Sequence, residues 1–307
     1  MQGAGTPSEH EGMGWGGEGT RDMSLLSERE LTRRIRELRP LSETARALIE
    51  IAEDPDHDRA SIVRIIEKDG PLTARALRMV HSSALAPPAP IDSLEQVVGY
   101  LGERILVAAA LLDSTGEWMS VELGPYGTGP SGLWAKGLRG AIASRLLALT
   151  GHAVPPAAAY TAALLRDVGM AVLAPVMGPR ASKLQEMLRE DPKLGWVEAE
   201  RQLLGIDHAE IGRRIARSFH LSAGLEAAIH YHHAPEAAPE EHQDLVRLVH
   251  RADAICTMLG GDPVRGLLDY RVDEETAAWL GLPLEALAKL LNRTLDEFEH
   301  SYAALAL

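Results

Sequence analysis

The chain holds 307 residues, 46% hydrophobic and 24% charged, enough for one large or two small domains with a buried core. Its net charge of −13 repels phosphate backbones and anionic headgroups, which speaks against broad nucleic-acid or membrane binding. A single cysteine, Cys256, excludes an intrachain disulfide and a thiolate metal cluster.

No run of about eighteen apolar residues and no basic, apolar leader stands out, so a soluble cytoplasmic protein is expected. Residues 1–27 carry seven glycines in the first twenty positions and too little apolar content to offset ordering, which predicts a disordered tail. Helical periodicity begins near Glu28, with Leu31, Ile35 and Leu38 on one face. A second helix follows Ser42, with Ala45, Leu48, Ile49 and Ala52 aligned. The Asp54-Pro55-Asp56 turn leads to a third, carrying Ile62, Ile65 and Ile66. Gly70-Pro71 opens a fourth, since proline suits a first helical position.

Pro87, Pro88 and Pro90 then predict an irregular crossing. Ser93-Leu94-Glu95-Gln96 is a capping box, and its helical pattern runs through Val97, Leu101, Ile105, Ala109 and Leu112 with a break near Gly102. These segments predict a five-helix lobe over 28–113. Residues 114–132, with five glycines and two prolines, read as a linker. Helical patterning resumes over 133–262, and 263–307 forms an extension with helices near Glu274–Leu280 and Pro283–Leu305. With no hairpin signal and no strand–helix alternation, the expected class is all-α in two helical lobes.

Four clusters in the second half carry chemistry. They are Leu133-Trp134-Ala135-Lys136-Gly137, Leu164-Leu165-Arg166-Asp167-Val168-Gly169, Asp207-His208-Ala209-Glu210-Ile211-Gly212, and Ile229-His230-Tyr231-His232-His233. Asp253 follows His233 by twenty residues. Singly, each has a plain structural explanation, such as a histidine complementing a helix C-terminus. Together they fit helices that project side chains inward to a common centre.

The set resembles the HD superfamily of metal phosphohydrolases, whose pattern is a His, a His-Asp pair, a further His, a His-His pair and an Asp. It is more similar to the HDOD family, a regulatory branch found in bacterial signalling proteins. Pro40-Leu41, the Asp-Pro turn, Gly70-Pro71-Leu72-Thr73-Ala74-Arg75, and Ile91-Asp92-Ser93-Leu94-Glu95-Gln96 with Leu101-Gly102 carry that likeness in order, over about residues 28–260. The resemblance implies an HD-like helical bundle as the second lobe.

The departures matter more than the matches. Lys136 stands where the pattern has its first His, and Arg166 where it has the His of the His-Asp pair; Asp167, His208, His232, His233 and Asp253 match. Arginine does not deprotonate in proteins, and lysine offers a lone pair only when its pKa is strongly depressed. Each cation repels a divalent ion by several kcal/mol, roughly, at ~4 Å and an effective dielectric near 20. Without a metal, Lys136 and Arg166 can neutralise the two carboxylates in an internal network, with Arg166 expected on Asp253 or a cavity anion rather than on Asp167 because neighbouring helical side chains diverge.

Three readings follow. The preferred one is a non-enzymatic regulatory protein acting through unidentified signalling partners, with no cofactor, no bound metal and no catalytic residue. The second is a phosphate or nucleotide sensor, for example of cyclic dinucleotides, gripping an anion in the former active site. The third is a surviving phosphohydrolase using His208, His232, His233 and the two aspartates around a shifted ion.

Overall fold

A computed structural model describes residues 26–305 apart from 82–84, 86, 88–90, 92, 122, 127–131, 152, 192 and 262–273. Residues 1–25 of the tail expected to be disordered, Pro88 and Pro90 of the irregular crossing, and the start of the C-terminal extension lie outside the described residues. Where the tail ends, Leu26 N–H donates to Leu204 O at 3.0 Å and Ser27 caps the first helix.

The chain is all-α, with no strand among the described residues. The first part folds as α1 Glu28–Glu37, α2 Glu43–Glu53, α3 Arg59–Ile66, α4 Gly70–Val80, α5 Leu94–Leu101 and α6 Glu103–Met119. Side chains of Ser42, Asp58 and Asp69 accept the N–H three residues on at the starts of α2, α3 and α4, which meets donors the helix leaves orphaned. The capping box at Ser93 forms in both directions, at 3.2 and 3.1 Å. Five helices were expected here and six are found. Gly102, with φ +73°, adopts a conformation that costs other residues dearly and separates α5 from α6.

The expected linker is the second correction. Helix α6 runs through Met119, six residues into the stretch 114–132. Gly116 costs a helix only about 1 kcal/mol, which the burial of Trp118 and Met119 outweighs. Leu123 and Tyr126, further along, are buried too.

The second part comprises α7 Gly132–Ala148, α8 Pro156–Leu165, α9 Met170–Met177, α10 Ala181–Glu190, α11 Trp196–Leu204, α12 His208–Ser218, α13 Ala223–Tyr231 and α14 Gln243–Cys256. The extension supplies α15 Glu274–Trp279 and α16 Leu284–Leu305. One buried hydrophobic cluster runs from Leu31 to Leu305, so both parts share a core. Helix α7 lies at its centre, against α8, α14 and α16, while α2 packs on α6 and α8.

The span Pro156–Glu190 includes a window of mean hydropathy 1.3, long and apolar enough by composition to cross a membrane, although no unbroken apolar run stood out in the sequence; 94% of that window is buried inside the fold. Helices packed on every side need apolar residues all round.

Candidate functional site

The site forms where α7, the α8–α9 turn, α12, the end of α13 and α14 converge. Helix α8 ends at Leu165, and Arg166–Gly169 turn the chain into α9. Close backbone approach makes the room. A Cβ on Gly137 would lie 2.7 Å from Leu164 O, and one on Gly140 only 2.1 Å from Arg166 Nη1. These two glycines of α7 leave the space that the α8 C-terminus and the Arg166 guanidinium occupy. On the far side, a Cβ on Gly169 would meet His208 O at 1.9 Å, which sets α12 directly on the turn.

All seven residues singled out in the sequence come together. Arg166 is fully buried; its Nε donates to Asp253 Oδ1 at 2.8 Å and stands 3.2 Å from Asp167 Oδ2, while Nη1 donates to Ala163 O at 2.7 Å. The expected pairing with Asp253 is present, but Arg166 reaches Asp167 as well, because its long side chain extends from a turn rather than from mid-helix. Lys136 Nζ lies 3.0 Å from Asp167 Oδ2 and 3.7 Å from Asp253 Oδ1. Two cations and two carboxylates thus form one network, fully buried at Arg166 and Asp167 and partly so at Lys136 and Asp253.

The electrostatics follow. Burial works against the charged forms of Asp167 and Asp253, but Lys136 and Arg166 outweigh it and hold both carboxyls below the usual carboxylate range. Conversely, burial would lower the pKa of Lys136 and Arg166, yet the two aspartates raise both.

Three imidazoles face the opposite edge of Asp167. His208 and His232, both fully buried, each place Nε2 3.7 Å from Asp167 Oδ1. The two Nε2 atoms are 3.4 Å apart, and His233 Nε2 lies 3.0 Å from that of His208. His232 Nδ1–H donates to Ile229 O at 2.8 Å, and His250 Nδ1–H donates to His232 O at 2.7 Å.

Sequence reasoning missed Glu200. It is fully buried and accepts from His208 Nδ1–H at 2.7 Å, from the His208 backbone N–H at 2.9 Å and, on its other oxygen, from the Tyr126 hydroxyl at 2.9 Å. Burial disfavours the charged His208 ring, but the Glu200 carboxylate outweighs it and raises the His208 pKa. The signal was present: Glu200 shares the apolar stripe of Ala199, Leu203 and Leu204 on α11, where an acidic residue is out of pattern. Tyr126 lay in the stretch read as linker.

With this geometry in hand, the comparisons with known proteins are specific. The HDOD domain model matches residues 38–235. The chain belongs to the HDOD domain family. An HDOD domain protein of unknown function from Geobacter sulfurreducens is similar at 25% identity and a TM-score of 0.63, over 90% of this chain and 95% of that one. A protein assigned to signal transduction from Marinobacter aquaeolei shares the fold at 22% identity and a TM-score of 0.70, over 94% of this chain and 68% of that one. So does a protein assigned as a phosphohydrolase from Shewanella amazonensis, at 21% and 0.62, over 90% and 97%. A relative of uncharacterised function from Treponema pallidum is 27% identical over 227 residues, 68% of this chain; the match spans 40% of that relative's length.

The resemblance of the sequence to the HD phosphohydrolase pattern would imply a divalent ion between the two carboxylates, and the residues do not fit one there. The Lys136 ammonium, at 3.0 and 3.7 Å from the two aspartates, occupies that position, with Arg166 behind it. An ion would have to displace a largely buried cation and then sit beside another, Arg166, that is fully buried.

Proposed function

We propose that this HDOD protein is a non-enzymatic regulatory component of bacterial cytoplasmic signalling, acting through contacts with a partner protein. The observation that carries this reading is Lys136 Nζ lying between Asp167 and Asp253. A phosphohydrolase of this superfamily needs a Lewis acid there to polarise a phosphoryl oxygen and generate hydroxide. A lysine ammonium, held protonated by both carboxylates, does neither. Membership of the HDOD family and likeness to the Marinobacter protein assigned to signal transduction support the regulatory class.

The sensor alternative draws less support. Both cations are already paired with carboxylates, and Arg166 is inaccessible, so a phosphate would compete with internal partners already in place.

The test is a phosphodiesterase assay of the purified chain with manganese, magnesium or zinc, on a cyclic dinucleotide and on a chromogenic phosphodiester. No turnover is expected, and Lys136→His with Arg166→His should gain metal affinity at the carboxylate pair. Metal-dependent hydrolysis by the unaltered chain, abolished by Asp167→Ala, would overturn the reading. A nucleotide-dependent thermal shift lost in Arg166→Ala would restore the sensor in its place.

A further inference from the structure

A second concave site lies in the first part of the fold and shares no residue with the Asp167 cluster. The α1–α2 connection, the first turns of α4 and the middle of α6 enclose a cleft of about 560 Å³, a size that suits small ligands. Helical spacing explains which residues face it. Pro71, Arg75 and Arg78 stand on successive turns of α4, and Ala110, Asp113 and Ser114 form the matching stripe of α6. Pro40-Leu41 and Gly70-Pro71-Leu72-Thr73-Ala74-Arg75, two motifs that carry the family likeness, supply Pro40, Pro71, Leu72 and Arg75 to this one cleft. The Asp167 cluster uses none of them.

Arg39, Arg75 and Arg78 line the cleft against Asp69 and Asp113, and both acids are already engaged. Asp69 accepts the Leu72 N–H at 2.9 Å as the cap of α4, and Asp113 accepts from Arg75 Nη1. Arg75 Nη2 donates to Leu305 O, while its buried Nε has no partner. The guanidinium groups of Arg39 and Arg78 make no hydrogen bond or ion pair with another described residue. Each presents a full fork of N–H donors to the cleft. Two unpaired cations beside a third repel one another, and an anion between them relieves that repulsion.

We propose that this cleft binds a small phosphorylated ligand, its phosphate held by Arg39 and Arg78 with the more buried Arg75 adding charge from behind. A carboxylate offers a pair of oxygens and a single charge. A phosphate monoester offers a third terminal oxygen and close to two negative charges, which matches two unpaired forks backed by another cation. The net charge of −13 opposes a nucleic acid or an anionic membrane, whose charge extends well past the cleft. A ligand contained within the cleft avoids that repulsion. Pro40, Pro71, Leu72 and Ala110 give it apolar walls for the uncharged remainder of the molecule. The sensor alternative puts an anion on cations already paired with Asp167 and Asp253; here Arg39 and Arg78 are unpaired. The site stands whether or not the protein is an enzyme.

The experiment is calorimetric titration of the full chain, stripped of metals and at low ionic strength, with pyrophosphate, inorganic phosphate and the dicarboxylate succinate. We expect saturable binding of pyrophosphate at one equivalent per chain, weaker binding of inorganic phosphate and the weakest of succinate. Arg39→Gln and Arg78→Gln, both at exposed positions, should keep the circular dichroism spectrum and melting temperature of the unaltered chain. Each should bind pyrophosphate about tenfold more weakly, the loss expected of one charge-assisted contact. Arg64→Gln, at an exposed arginine outside the cleft, should bind as the unaltered chain does. Absence of saturable binding overturns the proposal. So does succinate bound as tightly as pyrophosphate, which would mean a carboxylate ligand, or an equal loss in Arg64→Gln, which would mean general attraction to the surface. Binding unchanged in both cleft variants overturns it too, and places the anion elsewhere, the Asp167 cluster included. Metal-dependent hydrolysis in the phosphodiesterase assay sinks the non-enzymatic reading and leaves this site; absent binding without hydrolysis sinks the site and leaves that reading.

Discussion

On one side of Asp167, Lys136 and Arg166 reach two carboxylates over 2.8–3.7 Å. On the other, three imidazoles gather around the remaining oxygen with at most one hydrogen among their facing nitrogens when neutral. Both sides share Asp167, yet the first is self-neutralised and the second is not. Where the carboxylates meet cations, the protein itself supplies the compensating charge.

The largest effect expected from breaking this contrast is at Arg166. Removing one partner of a buried pair typically costs ~3–5 kcal/mol, a large share of a domain's stability. Arg166→Ala should lower the urea midpoint accordingly in chelated protein, and Arg166→Ala with Asp253→Asn should recover part of the loss. A neutral single variant would mean that the network contributes nothing and that the two sides do not differ.

Next is the backbone contact that both sides depend on. Gly169→Ala places a methyl group 1.9 Å from His208 O, which backbone must move to accommodate. Overpacking costs roughly 1–3 kcal/mol, and the variant should show a lower melting temperature with or without metal. An unaltered melting curve would show that the α9–α12 contact has slack.

A smaller effect sharpens the division. Glu200→Gln removes the carboxylate behind His208 but touches neither Lys136 nor Arg166. A loss of about 1.5 kcal/mol, at the low end of the range for hydrogen bonds to charged groups, should add to that of Arg166→Ala within about 0.5 kcal/mol if the sides are independent. A strongly non-additive double variant would show that they act as one unit.

The smallest effect lies outside the site and calibrates the rest. His57 Nδ1–H donates to Asp54 O and Nε2–H to Glu103; the Asp54 carbonyl first, against some burial and with help from Glu103, raises its pKa. A raised pKa in the folded state stabilises the protein below the ordinary histidine value, and that contribution fades as pH rises through the folded one. His57→Gln should therefore cost under about 1 kcal/mol near pH 5 and still less near pH 8. A cost that grew with pH would reverse this sign.

Much of the fold was legible because local signals agreed. Ser42, Asp58, Asp69 and Ser93 stand ahead of apolar periodic runs, and each caps the helix that follows. The extension's two helices lie within a few residues of where periodicity placed them. The failure at 114–119 has a local cause: weak periodicity and Gly116 hid a helix whose Trp118 and Met119 are buried by distant segments.

The sequence by itself determined the class of the protein and the chemical identity of the site. Helical periodicity and capping are local, and Lys136 and Arg166 can be seen in a string of letters to stand where the resembled pattern has histidines. Tertiary structure alone decided how those charges pair. Sequence spacing favoured Asp253 for Arg166, but a long side chain leaving a turn reaches both aspartates. Likewise, only packing brings Glu200 and Tyr126 behind His208. Their separations along the chain carry no signal, since the forces that join them depend on distance in space.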